Sequence, residues 1–203
     1  MKQVRCFVAI ELEPPTASLL RDVAACVRDA DPGWAGEKWV AQGNLHVTLK
    51  FMGDLPEAVL PLFALDLAAA TATTAVFDLQ ATGLSARPSA RRCNLVWVDL
   101  ADAGEHYAAL SESVDDAAAD YGVRRDQRPP RAHVTLVRAR RPKMLSAQAF
   151  EAGSLLLEHL APVVSVVRAT ILTSTLTRSG PIYSQVATAP LLAAAPPSGR
   201  TQK

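Results

Sequence analysis

The stretch NLHVTLKFMGD, residues 44–54, sets an imidazole and a hydroxyl two residues apart in an otherwise apolar run. One satisfied core histidine would explain it. The chain then repeats the pattern in RAHVTLVRAR, residues 131–140, so that His46-Val47-Thr48-Leu49 returns as His133-Val134-Thr135-Leu136. Only four histidines are present, and two of them stand in these matching contexts. Side chains alternate along a strand, so His46 and Thr48 share one face while Leu45, Val47 and Leu49 share the other. The same alternation joins His133 to Thr135 and backs them with Ala132, Val134 and Leu136.

The two histidines are 87 residues apart (133 − 46), and other segments recur at that offset. Arg5-Cys6 ahead of FVAI maps onto Arg92-Cys93 ahead of LVWV, and VFDLQATGL (76–84) onto VVSVVRATI (163–171). Two copies of one supersecondary unit imply a pseudo-symmetric pair of lobes rather than a solenoid. Local signals fill in the elements. FVAIEL reads as a strand ended by Pro14-Pro15, and Thr16 can cap a helix to about Ala30 with Leu19, Leu20, Val23 and Val27 as its apolar stripe. DPG at 31–33 reads as a turn. The first motif strand is followed by a helix over 57–70 and a strand over 75–84, and ARPSAR turns into CNLVWVDL. The second copy predicts a helix over 103–121, a strand over 132–138, a helix over 145–160 and a strand over 162–173, before a last strand, IYSQVAT. The expected fold is α+β: two pseudo-symmetric lobes within residues 1–189, each an antiparallel-rich sheet with two helices, and a cleft between them. Residues 190–203, rich in Ala, Pro and Ser, are expected to be a disordered tail.

Composition narrows the partners. Among 203 residues, 49% are hydrophobic and 20% charged, which suits a packed soluble domain, and a net charge of +1 provides no global field for nucleic acid or membrane. The local balance differs, because seven arginines lie between 124 and 141 with Asp126 as the only acid among them. Beside a polar strand face, guanidinium groups suit phosphate oxygens. Cys6, Cys26 and Cys93 have no paired spacing and read as free thiols of a reducing compartment. Glu11 and Glu13 interrupt the N-terminal apolar run too early for a signal peptide, and no stretch has the length of a membrane span. A cytoplasmic monomer is expected.

Two imidazoles and two hydroxyls on facing strands suit displacement at phosphorus. One imidazole can act as base and the other as acid, since both titrate near neutrality, and the threonine hydroxyls can donate to non-bridging oxygens. There is no Gly-rich phosphate loop, no carboxylate cluster for magnesium and no zinc-ligand spacing, so no metal or other cofactor is expected.

These residues resemble the 2H phosphoesterases, which carry two His-x-Thr/Ser-x motifs, and within them the bacterial RNA 2',3'-cyclic phosphodiesterase (2'-5' RNA ligase) branch. The resemblance runs over about residues 4–188 and includes RCFVAIEL, WVAQGNLHVTLKFMGD, LVWVDL, HVTLVR and STLTRSGPIY. It implies that His46 is the proton donor, His133 the proton acceptor, and Thr48 and Thr135 the phosphate-binding hydroxyls. It implies hydrolysis of RNA or nucleoside 2',3'-cyclic phosphates to a 2'-phosphomonoester, with 2'-5' ligation as the reverse. Small cyclic phosphates, or RNA binding without turnover, are the alternatives. Ala132 stands where the family commonly has proline, and Gly43 where an acid is frequent. Arg138 matches an arginine usual after the second motif, although strict alternation would turn it away from His133 unless a bulge intervenes. Lys50 and Arg131 have the right parity to meet phosphate, and Tyr183 of GPIY could border the cleft. Phe51 and Trp39 are expected in the core, Trp97 in a buried strand, and His106 and His159 outside the site.

Overall fold

The computed structural model describes residues 2–177 and 180–193. The chain forms strands β1 (Gln3–Glu11), β2 (Lys38–Trp39), β3 (His46–Pro56), β4 (Phe77–Arg87), β5 (Cys93–Ala101), β6 (His133–Lys143), β7 (Val163–Val166), β8 (Arg168–Thr177) and β9 (Gly180–Pro190). Its α-helices are α1 (Pro14–Ala30), α2 (Leu60–Thr71), α3 (His106–Ala119) and α4 (Ala147–Leu160). The strands make one curled antiparallel sheet in the order β7-β4-β5-β6-β3-β1-β8-β9, with β2 added to β6.

The order is nearly a palindrome about the β3–β6 contact. One lobe is β3-β1-β8-β9 and the other β6-β5-β4-β7, so the expected α+β pair of lobes is present. The lobes are not the two halves of the sequence, however. β4, from the first repeat, pairs with β5 and β7, while β8, from the second, pairs with β1 and β9. Helices cross over as well: α1 packs with α4 over β4 and β6, and α2 with α3 near β3, β8 and β9. α1 buries Ala17, Leu20, Val23, Ala24 and Val27, a spacing of three and four that makes one stripe. At Gly153 of α4 a Cβ would fall 2.3 Å from Val27 Cγ2, so only glycine lets the helices approach this closely.

The main core lies between the helices and one face of the sheet. β1 is buried on both faces: Cys6, Val8 and Ile10 enter that core, while Phe7 and Ala9 join Leu172 and Tyr183 on the opposite, open face. This is why FVAI reads as an unbroken apolar run. Cys6 and Cys93 are buried free thiols, and burial pushes the Cys6 thiol up to about 11.

Several sequence expectations need correcting. Pro14 and Pro15 begin α1 rather than precede it, since the first helical positions need no hydrogen-bonded N–H. Thr16 is no cap, and its hydroxyl donates to Val163 O at 2.8 Å. The single strand expected over 162–173 breaks at Val167, where the chain leaves one lobe for the other. Within the expected tail, Leu191 is buried and donates to Val167 O, and Leu192 exchanges bonds with Thr74 and Val76, which fastens residues 190–192 to the fold. Residues 194–203 of that tail lie outside the described residues. No described helix is long and apolar enough to cross a membrane.

Candidate active site

β3 and β6 meet at one antiparallel pair, Val47 with Val134, the two equivalent residues of the repeat. The pseudo-two-fold axis therefore passes between them. One step along each strand, the antiparallel direction sets His46 towards Thr135 and His133 towards Thr48. All four side chains are half-buried on the open face, while Val47 and Val134 are fully buried beneath them. The sequence-derived sites converge here.

Both rings are oriented in the same way. His46 Nδ1 lies 2.7 Å from Asn44 O, and His133 Nδ1 lies 2.9 Å from Arg131 O. A carbonyl can only accept, so Nδ1 carries the hydrogen in each bond and Nε2 is the nitrogen that gains or loses a proton. The flanking rings differ. His46 sits 5.0 Å from Phe7 and 5.5 Å, edge to face, from Tyr183, whereas His133 lies 4.4 Å from Trp97. Burial lowers the His46 pKa from the usual imidazole value; the Asn44 hydrogen bond raises it, His133 lowers it and Glu11 raises it. That effect of His133 on His46 follows from the two rings sharing one site.

A bulge follows each motif. Val8 pairs with Lys50 but Ala9 with Thr48, which leaves Leu49 as an extra residue; Val96 pairs with Val137 but Trp97 with Thr135, which leaves Leu136. A bulge reverses the alternation beyond it. Phe51 and Arg138 are thereby turned onto the open face, and Lys50 and Val137 into the interior. Arg138 joins the site for this reason, and its charge acts on Tyr183 together with that of Arg5. Lys50, expected at the phosphate, is instead 2% exposed. Its ammonium is paired with Asp115 and lies 2.9 Å from Asp126 and 2.8 Å from Arg124 O. Carbonyls at the bulges are also satisfied: Tyr107 Oη donates to Thr48 O at 2.9 Å, and Val40 N to Leu136 O at 2.9 Å.

The remaining candidates divide. Tyr183 borders the site, against His46 and Phe7. Arg131 contributes its carbonyl to His133, while its exposed side chain lines a separate cavity with Asp99, Asp102 and Glu105. A cavity of about 380 Å³ opens beside His46, lined by Glu11, Gln42, Asn44, Tyr183 and Gln185. Gly43 faces it with open space where a side chain would stand. Phe51, expected in the core, is 66% exposed on the open face, and Trp97 is half-buried against His133. Trp39 is half-buried and donates to Trp34 O. His106 is engaged with Asp102 at the start of α3, away from both motifs.

Cross-strand pairing adds residues that sequence reasoning missed. Phe7, Ala9 and Glu11 lie opposite Phe51, Thr48 and His46; Leu95, Trp97 and Asp99 lie opposite Arg138, Thr135 and His133. The offset on β1 and β5 is thus 88 (99 − 11), one more than between the motifs, so matching Cys6 to Cys93 put these strands out of phase. The segments matched at 76–84 and 163–171 are likewise displaced, since Ser85 on β4 corresponds to Thr170 on β8. Glu11 and Asp99 were in plain view in FVAIEL and LVWVDL, but only the ladder sets them opposite the histidines. Among the described residues no group of three or more His, Cys, Asp or Glu could hold a metal ion.

The sequence profile of the 2'-5' RNA ligase superfamily matches residues 14–173. A Geobacillus stearothermophilus protein named RNA 2',3'-cyclic phosphodiesterase is 28% identical over 204 residues, covering 99% of this chain and 61% of its own. This chain thus spans less than two thirds of that relative. A Methanothermobacter thermautotrophicus protein of the same name is 27% identical over 186 residues, covering 91% of this chain and 97% of its own. A solved structure from Thermus thermophilus matches with a TM-score of 0.73 at 21% identity, covering 94% of this chain and all of that one (100%).

Proposed function

Because the chain belongs to the 2'-5' RNA ligase superfamily, we propose that it is a cytoplasmic RNA 2',3'-cyclic phosphodiesterase working by acid–base catalysis between His46 and His133. The observation that carries this reading is the crossing of the two His-Val-Thr-Leu strands at Val47 and Val134, with each ring held through Nδ1. In the hydrolytic direction, water attacks phosphorus opposite O3'. His133 Nε2 takes a proton from that water as the new P–O bond forms. The P–O3' bond breaks, and His46 Nε2 protonates the departing 3'-oxygen. The product is a 2'-phosphomonoester with a free 3'-hydroxyl, and the two imidazoles end with their protonation exchanged.

Thr48 and Thr135 lie diagonally between the histidines, where their hydroxyls can donate to the non-bridging oxygens. Arg138 adds positive charge at the lip of the site, and exposed Phe51 offers a ring for a base to stack upon. Both features favour an RNA end over a bare cyclic phosphate. With a 5'-hydroxyl in place of water as the nucleophile, the same step would break the P–O3' bond and leave a 2'-5' linkage beside a free 3'-hydroxyl. The proton transfers and charge stabilisation require no metal in this scheme.

The test is a product assay in EDTA, with an oligonucleotide ending in 2',3'-cyclic phosphate and resolution of 2'- from 3'-phosphate ends. Wild-type protein should yield the 2'-phosphate. His46→Ala and His133→Ala should each lose about 10²- to 10⁴-fold in turnover, the range for a positioned acid or base. A good leaving group at the 3' position should rescue His46→Ala and leave His133→Ala slow. Rescue of His133→Ala instead would reverse the roles, and full activity in both variants would return the motifs to the core. Turnover lost in EDTA and restored by one divalent metal would remove the metal-free scheme.

A further inference from the structure

The two motifs are chemically identical, so nothing within His-Val-Thr-Leu makes one imidazole hold a proton and the other accept one. Their neighbours differ. On each side a carboxylate lies opposite the histidine and accepts a hydroxyl from the next strand. Thr170 Oγ1 donates to Glu11 Oε2 at 2.8 Å, and Ser85 Oγ donates to Asp99 Oδ2. Up to this point the lobes match: His46–Glu11–Thr170 against His133–Asp99–Ser85.

The match fails two residues away. Arg87, opposite Leu95, packs over Trp97 with its guanidinium carbon 5.0 Å from the ring centroid. It also reaches to 4.0 Å from Asp99 Oδ1, which accepts the Trp97 indole N–H at 2.9 Å. The equivalent of Arg87 is Leu172, opposite Phe7, and the equivalent of Trp97 is Ala9. Among the described residues Glu11 makes no ion pair, and Arg168 at the start of β8 is engaged by Glu13 at 3.3 Å. One carboxylate is shared with a guanidinium and an indole. The other keeps its charge for the imidazole opposite.

We infer that Glu11 is a positioning residue that holds the proton on His46, and that the Arg87–Asp99 pair withholds the equivalent charge from His133. This rests on His46 being the acid. The groups facing His46 are Glu11 on β1, His133 on β6 and Tyr183 on β9, the last under the influence of Arg5 and Arg138; β8 offers only Thr170 and Leu172. Burial and His133 both disfavour the imidazolium, and Glu11 is the anion among these that favours it. An acid must be protonated to work, so turnover falls as pH rises through the His46 pKa. Removing Glu11 lowers that pKa further and moves the alkaline limb of kcat/KM to lower pH.

The experiment is an NMR titration of the His46 ring in wild type, Glu11→Gln, Glu11→Ala and Glu11→Asp, with kcat/KM measured against pH on the same proteins. Gln keeps an acceptor for Thr170 and removes the charge, while Ala removes the charge by another route. Both should titrate His46 at lower pH and shift the alkaline limb the same way, and Asp should restore both. An unmoved His46 titration in the Gln and Ala variants would overturn the inference. The titration reads proton affinity without catalysis, so a failed acid assignment would appear separately, as leaving-group rescue of His133→Ala in place of His46→Ala.

Discussion

In the proposed scheme each motif residue has one task that its chemistry permits and its surroundings favour. The carbonyls of Asn44 and Arg131 fix the tautomers of His46 and His133, so a ring flip in either would cost a hydrogen bond and misplace Nε2. The threonines supply short, rigid donors that cannot themselves titrate in this range. Thr48→Val and Thr135→Val keep the side-chain shape and remove the hydroxyl. By analogy with loss of one oxyanion donor, each should reduce turnover about 10²-fold, measured as kcat on protein with an unchanged circular dichroism spectrum. Wild-type turnover in Thr135→Val would assign that hydroxyl to packing instead.

At the level of elements, the bulges at Leu49 and Leu136 decide which cations reach the open face. The same shift of phase brings Arg138 to the open face and takes Lys50 from it. Buried Lys50 ties β3 to Asp115 of α3 and to Asp126 of the following loop. Asp126 is largely exposed and contributes little; Asp115 is 15% exposed and would be left without its cation. Lys50→Met should therefore destabilise the fold by about 3 kcal/mol, the cost of breaking rather than replacing a buried pair. Turnover per folded molecule should persist. Denaturant unfolding alongside kcat separates these effects, and lost turnover at unchanged stability would return Lys50 to the phosphate.

Over the whole molecule, the crossed connections join the lobes into one unit. β4 leaves the first repeat to complete the second lobe, β8 returns the exchange, and the β3–β6 contact closes the sheet. Neither lobe has its strands without both halves of the chain. Unfolding should accordingly be a single transition, with tryptophan fluorescence and far-ultraviolet circular dichroism coincident in denaturant. Trp97 lies in one lobe beside His133, so a lobe that melted first would separate the probes. Two resolved transitions would show the lobes to be independent folding units.

The duplicated His-Val-Thr-Leu, its 87-residue spacing and the alternation within each strand were enough to identify the four central side chains and a two-lobed α+β fold. These are local or periodic properties, carried by residue type and parity. Parity fails at a bulge, where one extra residue turns every later side chain over; hence Lys50 and Phe51 were each expected on the wrong face and Arg138 needed the structure to place it. Pairing between distant strands leaves no local mark either. Only the tertiary structure sets Glu11 and Asp99 opposite the two histidines and shows Arg87 where the other lobe has Leu172, because register across a sheet is chosen by packing of the whole core.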